Sequence, residues 1–196
     1  MILTGLETPT WQVGMPLLPK ILCSRARQNA RRVLQLARMT RAHADDLPWT
    51  TQNSPQGKYS LARRSLSIAA GGMKDIGTWG GGHPFDFEIQ RIPPGKINFP
   101  LHEHTAQWEA YYILSGSGQI RTLKGKEAIK AGDFLVLPPG EAHQLINNGS
   151  EDLTFFVIAD QPQADVIHYP DSGKWMTKPH RKSFEMQEVE YFKGEE

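Results

Sequence analysis

The chain has 196 residues, of which 39% are hydrophobic, and its 22 basic and 21 acidic side chains leave a net charge of +1. This composition is typical of one globular domain with an ordinary hydrophobic core, and it offers no overall positive charge for nucleic-acid binding. No apolar run approaches the roughly 20 residues that a membrane-spanning helix needs. Cys23 is the single cysteine, which excludes an intramolecular disulfide. We therefore expect a cytoplasmic protein that binds neither membranes nor nucleic acids.

Residues 1–44 are predicted to be an N-terminal extension that is partly helical or disordered. Residues 1–41 hold seven basic side chains against one acidic residue, Glu7. Apolar residues among the arginines of Ser24–Arg41 favour one short helix. A nucleic-acid-binding arm, a transit peptide and a solvated helix all fit this pattern, as does a true start of translation at Met39. One short helix is too little for a helix-turn-helix reader of DNA.

Residues 45–84 are predicted to form an arm followed by a glycine-rich loop. The arm is polar and rich in turn residues, and Ser65–Ala69 is predicted as its first strand. Residues 71–82 are glycine-rich but lack the Gly-Lys-Ser/Thr ending of a phosphate-binding loop. We therefore interpret them as a surface loop.

Short strands separated by glycine and proline turns fill residues 85–170. Apolar and polar residues alternate in Phe85–Gln90 with the period of a half-buried strand. Further strands are predicted at Glu109–Ser115, Gln119–Leu123, Glu127–Lys130, Phe134–Leu137, Gln144–Ile146 and Leu153–Ala159. No helical segment separates them, which indicates an all-β barrel or sandwich and not a parallel α/β sheet. Residues 171–196 are predicted to be an extended polar C-terminal tail.

Four candidate metal ligands lie within this region. His102 and His104 are two residues apart, so on one strand both rings point to the same face. Glu109 lies at an odd offset from His104, and a bend near residues 105–107 would return its carboxylate to the pair. His143 follows a Pro-x-Gly turn, in which proline fixes φ and glycine permits a sharp reversal. Three imidazoles and one carboxylate on neighbouring strands would form a metal site; the alternative is a set of core or surface histidines without a metal.

The spacing of these residues resembles the two sequence motifs of the cupin superfamily. Gly95, His102, His104, Glu109 and Gly116 are similar to the first motif, Gly-x5-His-x-His-x3/4-Glu-x6-Gly, with six residues instead of five after the first glycine. The stretch from Gly132 to Asn147 matches the second motif, Gly-x5-Pro-x-Gly-x2-His-x3-Asn, at every fixed position. The resemblance to small single-domain cupins implies a double-stranded β-helix, or jelly-roll barrel, and a homodimer.

The residue types restrict the metal without selecting it. Imidazole suits Fe, Ni, Cu and Zn, and the carboxylate of Glu109 extends the set to Mn. An octahedral divalent ion with four protein ligands would keep about two positions open for water, substrate or dioxygen, whereas a tetrahedral zinc would be closed and structural. Strand parity places Tyr111 on the inner face if Glu109 faces inward. We expect Asn98, Gln107 and Tyr111 to provide polar groups of a substrate pocket.

Two functions fit these residues. The first is a mononuclear metal-dependent enzyme of the oxygenase or isomerase type, which acts on a small organic acid or a sugar-like molecule. The second is a non-catalytic cupin that binds a small ligand or a metal. The fold does not decide between them, but the complete set of ligands favours the enzyme. A third function, a DNA-binding regulator, depends on the arginine-rich segment alone.

Overall fold

The computed structural model describes residues 39–196. Most of the predicted helix of residues 24–41 and most of the N-terminal extension therefore lie outside the described residues. Within the described range, the structure contains no helix that is long and apolar enough to cross a membrane.

The described residues form a nearly all-β structure, which confirms the predicted fold class. Between residues 39 and 196, helical structure is limited to α1 (Leu66–Ala69) and two short 3-10 helices, at Ala44–Asp46 and Thr78–Gly80. The strands are β1 (Thr50–Asn53), β2 (Ser60–Ser65), β3 (Phe85–Ile92), β4 (Glu103–His104), β5 (Glu109–Ser115), β6 (Ser117–Thr122), β7 (Gly125–Lys130), β8 (Phe134–Leu137), β9 (Gln144–Ile146), β10 (Leu153–Asp160), β11 (Asp165–Tyr169), β12 (Lys174–Lys178) and β13 (Lys182–Glu185).

Antiparallel sheets enclose one hydrophobic core. The largest sheet has the strand order β1-β2-β3-β10-β5-β8, and it is accompanied by the sheets β13-β12-β11-β4 and β7-β6-β9. The core lies between them and includes Leu61, Ile92, Ile113, Leu145 and Phe155, each at most 1% exposed. Full burial of side chains of this size contributes about 1.5–3 kcal/mol each before the entropy of folding is subtracted, so this core holds the sheets together.

Strand β3 has the predicted alternation, and its polar side faces inward. Asp86, Glu88 and Gln90 are buried, whereas Phe85 is 49% exposed. The side chain of Ile92 belongs to the core, and side chains two residues apart share a face, so its packing orients the even-numbered residues of β3 toward the interior. The inward polar groups are stabilised by hydrogen bonds, such as that from Gln90 Nε2 to Glu88 Oε2 (2.7 Å).

The prediction of a strand over Ser65–Ala69 is wrong. Strand β2 ends at Ser65, and Leu66–Ala69 forms the helical turn α1. This turn places the hydroxyl of Ser67 where it donates to Asp86 Oδ1 (2.7 Å) and accepts from the backbone N–H of Phe87 (3.2 Å). The tertiary contact with β3 therefore replaces the extended conformation that the apolar residues suggested.

The arm and the C-terminal tail both add strands to the barrel. Strands β1 and β2 extend the largest sheet through the pairing of β2 with β3. Strands β12 and β13 form a hairpin that pairs with β11. The hairpin is joined to the glycine-rich loop by Asp75, whose carboxylate contacts Lys178 Nζ (3.0 Å) and Arg181 Nη1 (2.6 Å). These two segments therefore contact each other through ion pairs.

Candidate metal centre

His102 and His143 face each other across a β-bridge that joins the two motifs. The backbone N–H of His143 donates to His102 O (2.9 Å), and the N–H of His102 donates to His143 O (3.2 Å). A turn at Pro138–Glu141, with Gly140 at a φ of +82°, precedes this bridge. The paired backbones place both side chains on the same side, and the ring centroids lie 4.5 Å apart.

A bend at Thr105 and Ala106 brings Glu109 to the histidines. Strand β4 ends at His104, and β5 begins at Glu109 in the largest sheet. Glu109 Oε2 lies 3.2 Å from His143 Nε2, and Glu109 Oε1 lies 3.6 Å from His104 Nε2. The bend therefore brings the Glu109 carboxylate to the same side as the His104 ring, although their odd sequence offset would place them on opposite faces of one continuous strand.

The Nδ1 atom of each histidine is held by an oxygen. His102 Nδ1 contacts Pro100 O (3.0 Å), and His143 Nδ1 contacts Glu141 O (2.9 Å). The partner of His104 Nδ1 is the carboxylate of Asp165 (2.5 Å). Because these oxygens accept hydrogen bonds, each neutral ring can carry its proton on Nδ1, which leaves the lone pair of Nε2 for a metal. All three rings therefore offer Nε2 as a metal ligand.

The donor atoms are close enough to share one ion. The ligand atoms of His102, Glu109 and His143 all lie within 4.8 Å of one another. His104 is outside this group of three, although its ring centroid lies 5.3 Å from that of His102. Imidazole nitrogens and one carboxylate are suitable donors for first-row divalent metals, so the chemistry of the site fits such an ion.

Burial and mutual contact determine the charges at the site. Burial and the neighbouring His143 lower the pKa of His102 to about 3, so this ring is neutral at physiological pH. Burial opposes the charge of Glu109, but contact with His143 and the nearby His104 and His102 holds its pKa well below its usual value. Burial and the charge of Glu109 raise the pKa of Tyr111 well above its usual value. Tyr111 therefore remains a donor to Glu109 Oε2 (2.5 Å).

A cavity of about 120 Å³ adjoins the candidate ligands. His102, His104 and Glu109 line it together with the inward residues of β3. Four basic residues contribute to the same lining, namely Arg63, Lys74, Lys178 and Arg181. Its apolar lining residues include Phe99, Val157, Ala159, Ile167 and Met176. The cavity therefore combines hydrogen-bonding groups, cations and apolar surface in a space that suits a small polar molecule.

The three residues predicted for the pocket have different positions. Gln107 lines the cavity, and its Oε1 accepts a hydrogen bond from Lys178 Nζ (2.8 Å). Asn98 is 2% exposed and its Oδ1 accepts from the backbone N–H of Leu145 (2.9 Å), so it stabilises the barrel away from the cavity lining. Tyr111 belongs to the hydrophobic core and reaches the site through Glu109 and His143. Residues 98–101 form a series of bends, so the alternation of a continuous strand does not relate the side chain of Asn98 to that of His102.

The structure also adds polar residues that the motifs do not include. Asp86, Glu88 and Gln90 line the cavity, and the alternation of Phe85–Gln90 was the available indication. Lys178 comes from the C-terminal hairpin and Asp165 from β11. No spacing in the sequence pointed to either residue.

Comparisons with known proteins agree with this architecture. Residues 88–159 match the family model of the cupin domain. The chain is 40% identical over 73 residues to the oxalate-binding protein of Thermotoga maritima, a match that covers 37% of this chain and 59% of that protein. It is 30% identical over 130 residues to auxin-binding protein 1 of Arabidopsis thaliana, covering 60% of each chain. The chain thus spans about three fifths of the length of these curated relatives.

A solved structure supports the fold over a longer range. The crystal structure of a putative sugar phosphate isomerase from Acidithiobacillus ferrooxidans superposes with a TM-score of 0.63 and 22% sequence identity, over 82% of this chain and 99% of that one. At this identity the likeness concerns the fold alone. The two motifs and the match of residues 88–159 to the family model together identify a cupin domain in this part of the chain.

Proposed function

We propose that this cupin binds one divalent metal ion through His102, His104, Glu109 and His143 and acts as a mononuclear metal-dependent enzyme. The observation that carries the proposal is the cluster of His102, Glu109 and His143, whose ligand atoms lie within 4.8 Å of one another, with His104 Nε2 3.6 Å from Glu109 Oε1, beside a cavity. A bound Fe, Mn, Ni, Cu or Zn ion would polarise a substrate oxygen or, if it is redox-active, take part in dioxygen chemistry.

The proposed substrate is a small organic acid or a sugar-like molecule, and the proposed reaction is an oxygenation or an isomerisation. Glu88 and Gln90 offer hydrogen-bond partners for hydroxyl groups on the wall formed by β3. Lys178 is 13% exposed at its side chain and presents a cation to the same space, which suits a carboxylate. The similarity to an oxalate-binding protein supports a small acid in particular.

A non-catalytic binding protein is the second candidate function. Its specific support is the same relative, which is named for binding oxalate and not for converting it. In that case the metal and Lys178 would hold an acid without turnover. Incubation with a panel of small acids and sugars, with and without dioxygen, separates the two functions: product formation supports the enzyme, and saturable binding without product supports the binding protein.

Metal analysis of untagged protein, purified without chelator, tests the shared basis of both functions. We expect about one divalent ion per chain, lost in His102→Ala and retained in His168→Ala. His168 is a suitable control because it pairs with Glu103 (2.9 Å) and lies outside the group of candidate ligands. A wild-type protein that takes up no divalent ion after reconstitution would refute the metal proposal.

We also propose that the protein forms a homodimer through the outer face of the largest sheet. Cross-strand pairing aligns Phe156, Tyr112 and Phe134 in one row. A second row consists of Ile158, Ala110 and Val136. Phe134 is 61% exposed and Val136 is 51% exposed, so both rows present apolar surface to solvent. An exposed apolar patch of this kind is typical of protein–protein interfaces, and in a homodimer it would pack against its own copy across a two-fold axis.

A further inference from the structure

Asp165 is a buried carboxylate that lies outside both cupin motifs and beyond the residues matched to the cupin domain, 88–159. Its side chain is 1% exposed. Oδ2 contacts His104 Nδ1 (2.5 Å), while Oδ1 accepts from the backbone N–H of Ala106 (2.8 Å) and from Thr105 Oγ1 (3.2 Å). One carboxylate therefore contacts both a candidate metal ligand and the bend that follows it.

His104 differs from the other two histidines because the acceptor at its Nδ1 is a distant side chain and not a local backbone carbonyl. His102 and His143 each direct Nδ1 to the backbone carbonyl two residues earlier, at Pro100 and Glu141. The corresponding carbonyl for His104 is that of His102, which accepts the backbone N–H of His143 in the β-bridge. Asp165, 61 residues away in the sequence, provides the acceptor instead.

We propose that Asp165 is a positioning residue of the metal centre; this inference rests on the proposed metal-binding function. Its Oδ2 holds the His104 ring with Nδ1 protonated and Nε2 directed toward Glu109, from which it is 3.6 Å away. Its Oδ1 holds the bend at Thr105 and Ala106 that returns the chain to Glu109. Asp165 thus helps to position two candidate ligands, His104 and Glu109, without being a ligand itself. A carboxylate partner at Nδ1 also makes the imidazole of His104 a stronger donor to a metal.

Asp165→Asn tests this role because it alters hydrogen bonding and keeps the shape of the side chain. Both oxygens of Asp165 accept hydrogen bonds, whereas an amide has one accepting and one donating group. The variant must therefore lose the acceptor for His104 or turn an NH₂ group toward the N–H of Ala106. Asp75→Asn is the matched control, since Asp75 is 5% exposed and lines the same cavity but its contacts are to Lys178 and Arg181.

Nitrogen-15 NMR of the histidine rings in the metal-free protein provides the first measurement. We expect wild type and Asp75→Asn to show His104 protonated at Nδ1, and Asp165→Asn to show a mixture of tautomers. A wild-type His104 that carries its proton on Nε2 would overturn the inference. This measurement needs no metal, so it separates failure of the inference from failure of the proposed function.

Metal affinity, measured by competition of Mn(II) or Co(II) with a chelating fluorophore, provides the second measurement. We expect a loss of about 10- to 100-fold in Asp165→Asn, a changed visible spectrum of the Co(II) form, and wild-type values in Asp75→Asn. Unchanged affinity and spectrum in Asp165→Asn would overturn the inference. If Asp165→Asn does not fold, Thr105→Val tests the bend: we expect several-fold weaker metal binding with the His104 tautomer retained, and wild-type affinity would contradict the role of the bend.

Discussion

Asn147, the last residue of the second motif, is predicted to be a structural residue and not a metal or substrate ligand. It is fully buried, and its Nδ2 donates to Ile92 O (2.7 Å) and to Glu151 O (2.8 Å). Its Oδ1 accepts from the backbone N–H of Gly149 (3.0 Å). Asn147→Ala removes three hydrogen bonds worth about 1 kcal/mol each, so we expect the free energy of unfolding to fall by about 3 kcal/mol. A folded domain with a typical stability of about 5–15 kcal/mol survives this loss.

Urea denaturation followed by circular dichroism measures this change. The midpoint should fall while the slope against urea stays constant, since the exposed area of the unfolded chain is unaffected. Asn148→Ala is the matched control because Asn148 is exposed, and we expect it to stay within about 0.5 kcal/mol of wild type. Metal content should be the same in all three proteins. A loss of metal by Asn147→Ala at wild-type stability would refute the reasoning.

Three further predictions concern the ion pairs of Asp75 with Lys178 and Arg181, the binding of a ligand, and the dimer. Asp75→Asn should lower the free energy of unfolding by about 2 kcal/mol. This loss is smaller than that expected for a fully buried ion pair, because the side chain of Arg181 is 49% exposed and solvent weakens its attraction to Asp75. Burial opposes the charge of Asp75, but the cations of Lys178 and Arg181 hold its pKa below the usual value of 3.8. The stability difference between wild type and Asp75→Asn in urea should therefore be complete above this pH and shrink as the pH falls below it; a difference that grows in acid would contradict this account. Lys178→Gln should weaken the binding of a small dicarboxylate about 10-fold by calorimetry, equivalent to about 1.4 kcal/mol, with metal content retained; unchanged affinity would remove Lys178 from the site. Phe134→Glu should sediment as a monomer at micromolar concentration while Leu123→Glu, at a surface turn, sediments like a dimeric wild type; a dimeric Phe134→Glu would exclude the proposed face.

Local patterns in the sequence predicted the order and relative orientation of the candidate ligands. The alternation of His102 and His104 and the Pro-x-Gly turn before His143 act within a few residues, where backbone geometry limits the choices. The all-β fold was predictable for the same reason, because short strands between glycine and proline turns exclude helical crossovers. The reversal that returns Glu109 was inferable from its odd offset.

Long-range packing determined the rest of the site. The packing of Ile92 in the core determines which side of β3 faces inward. Asp86, Glu88 and Gln90 lie on that side and line the cavity, although polar side chains are usually exposed. The acceptor at His104 Nδ1 is Asp165, 61 residues away, while the nearer carbonyl of His102 accepts from the backbone N–H of His143. Both features depend on contacts between residues that are far apart in the sequence. Which donor and acceptor pair with each other is determined only by the tertiary structure, which brings their strands together.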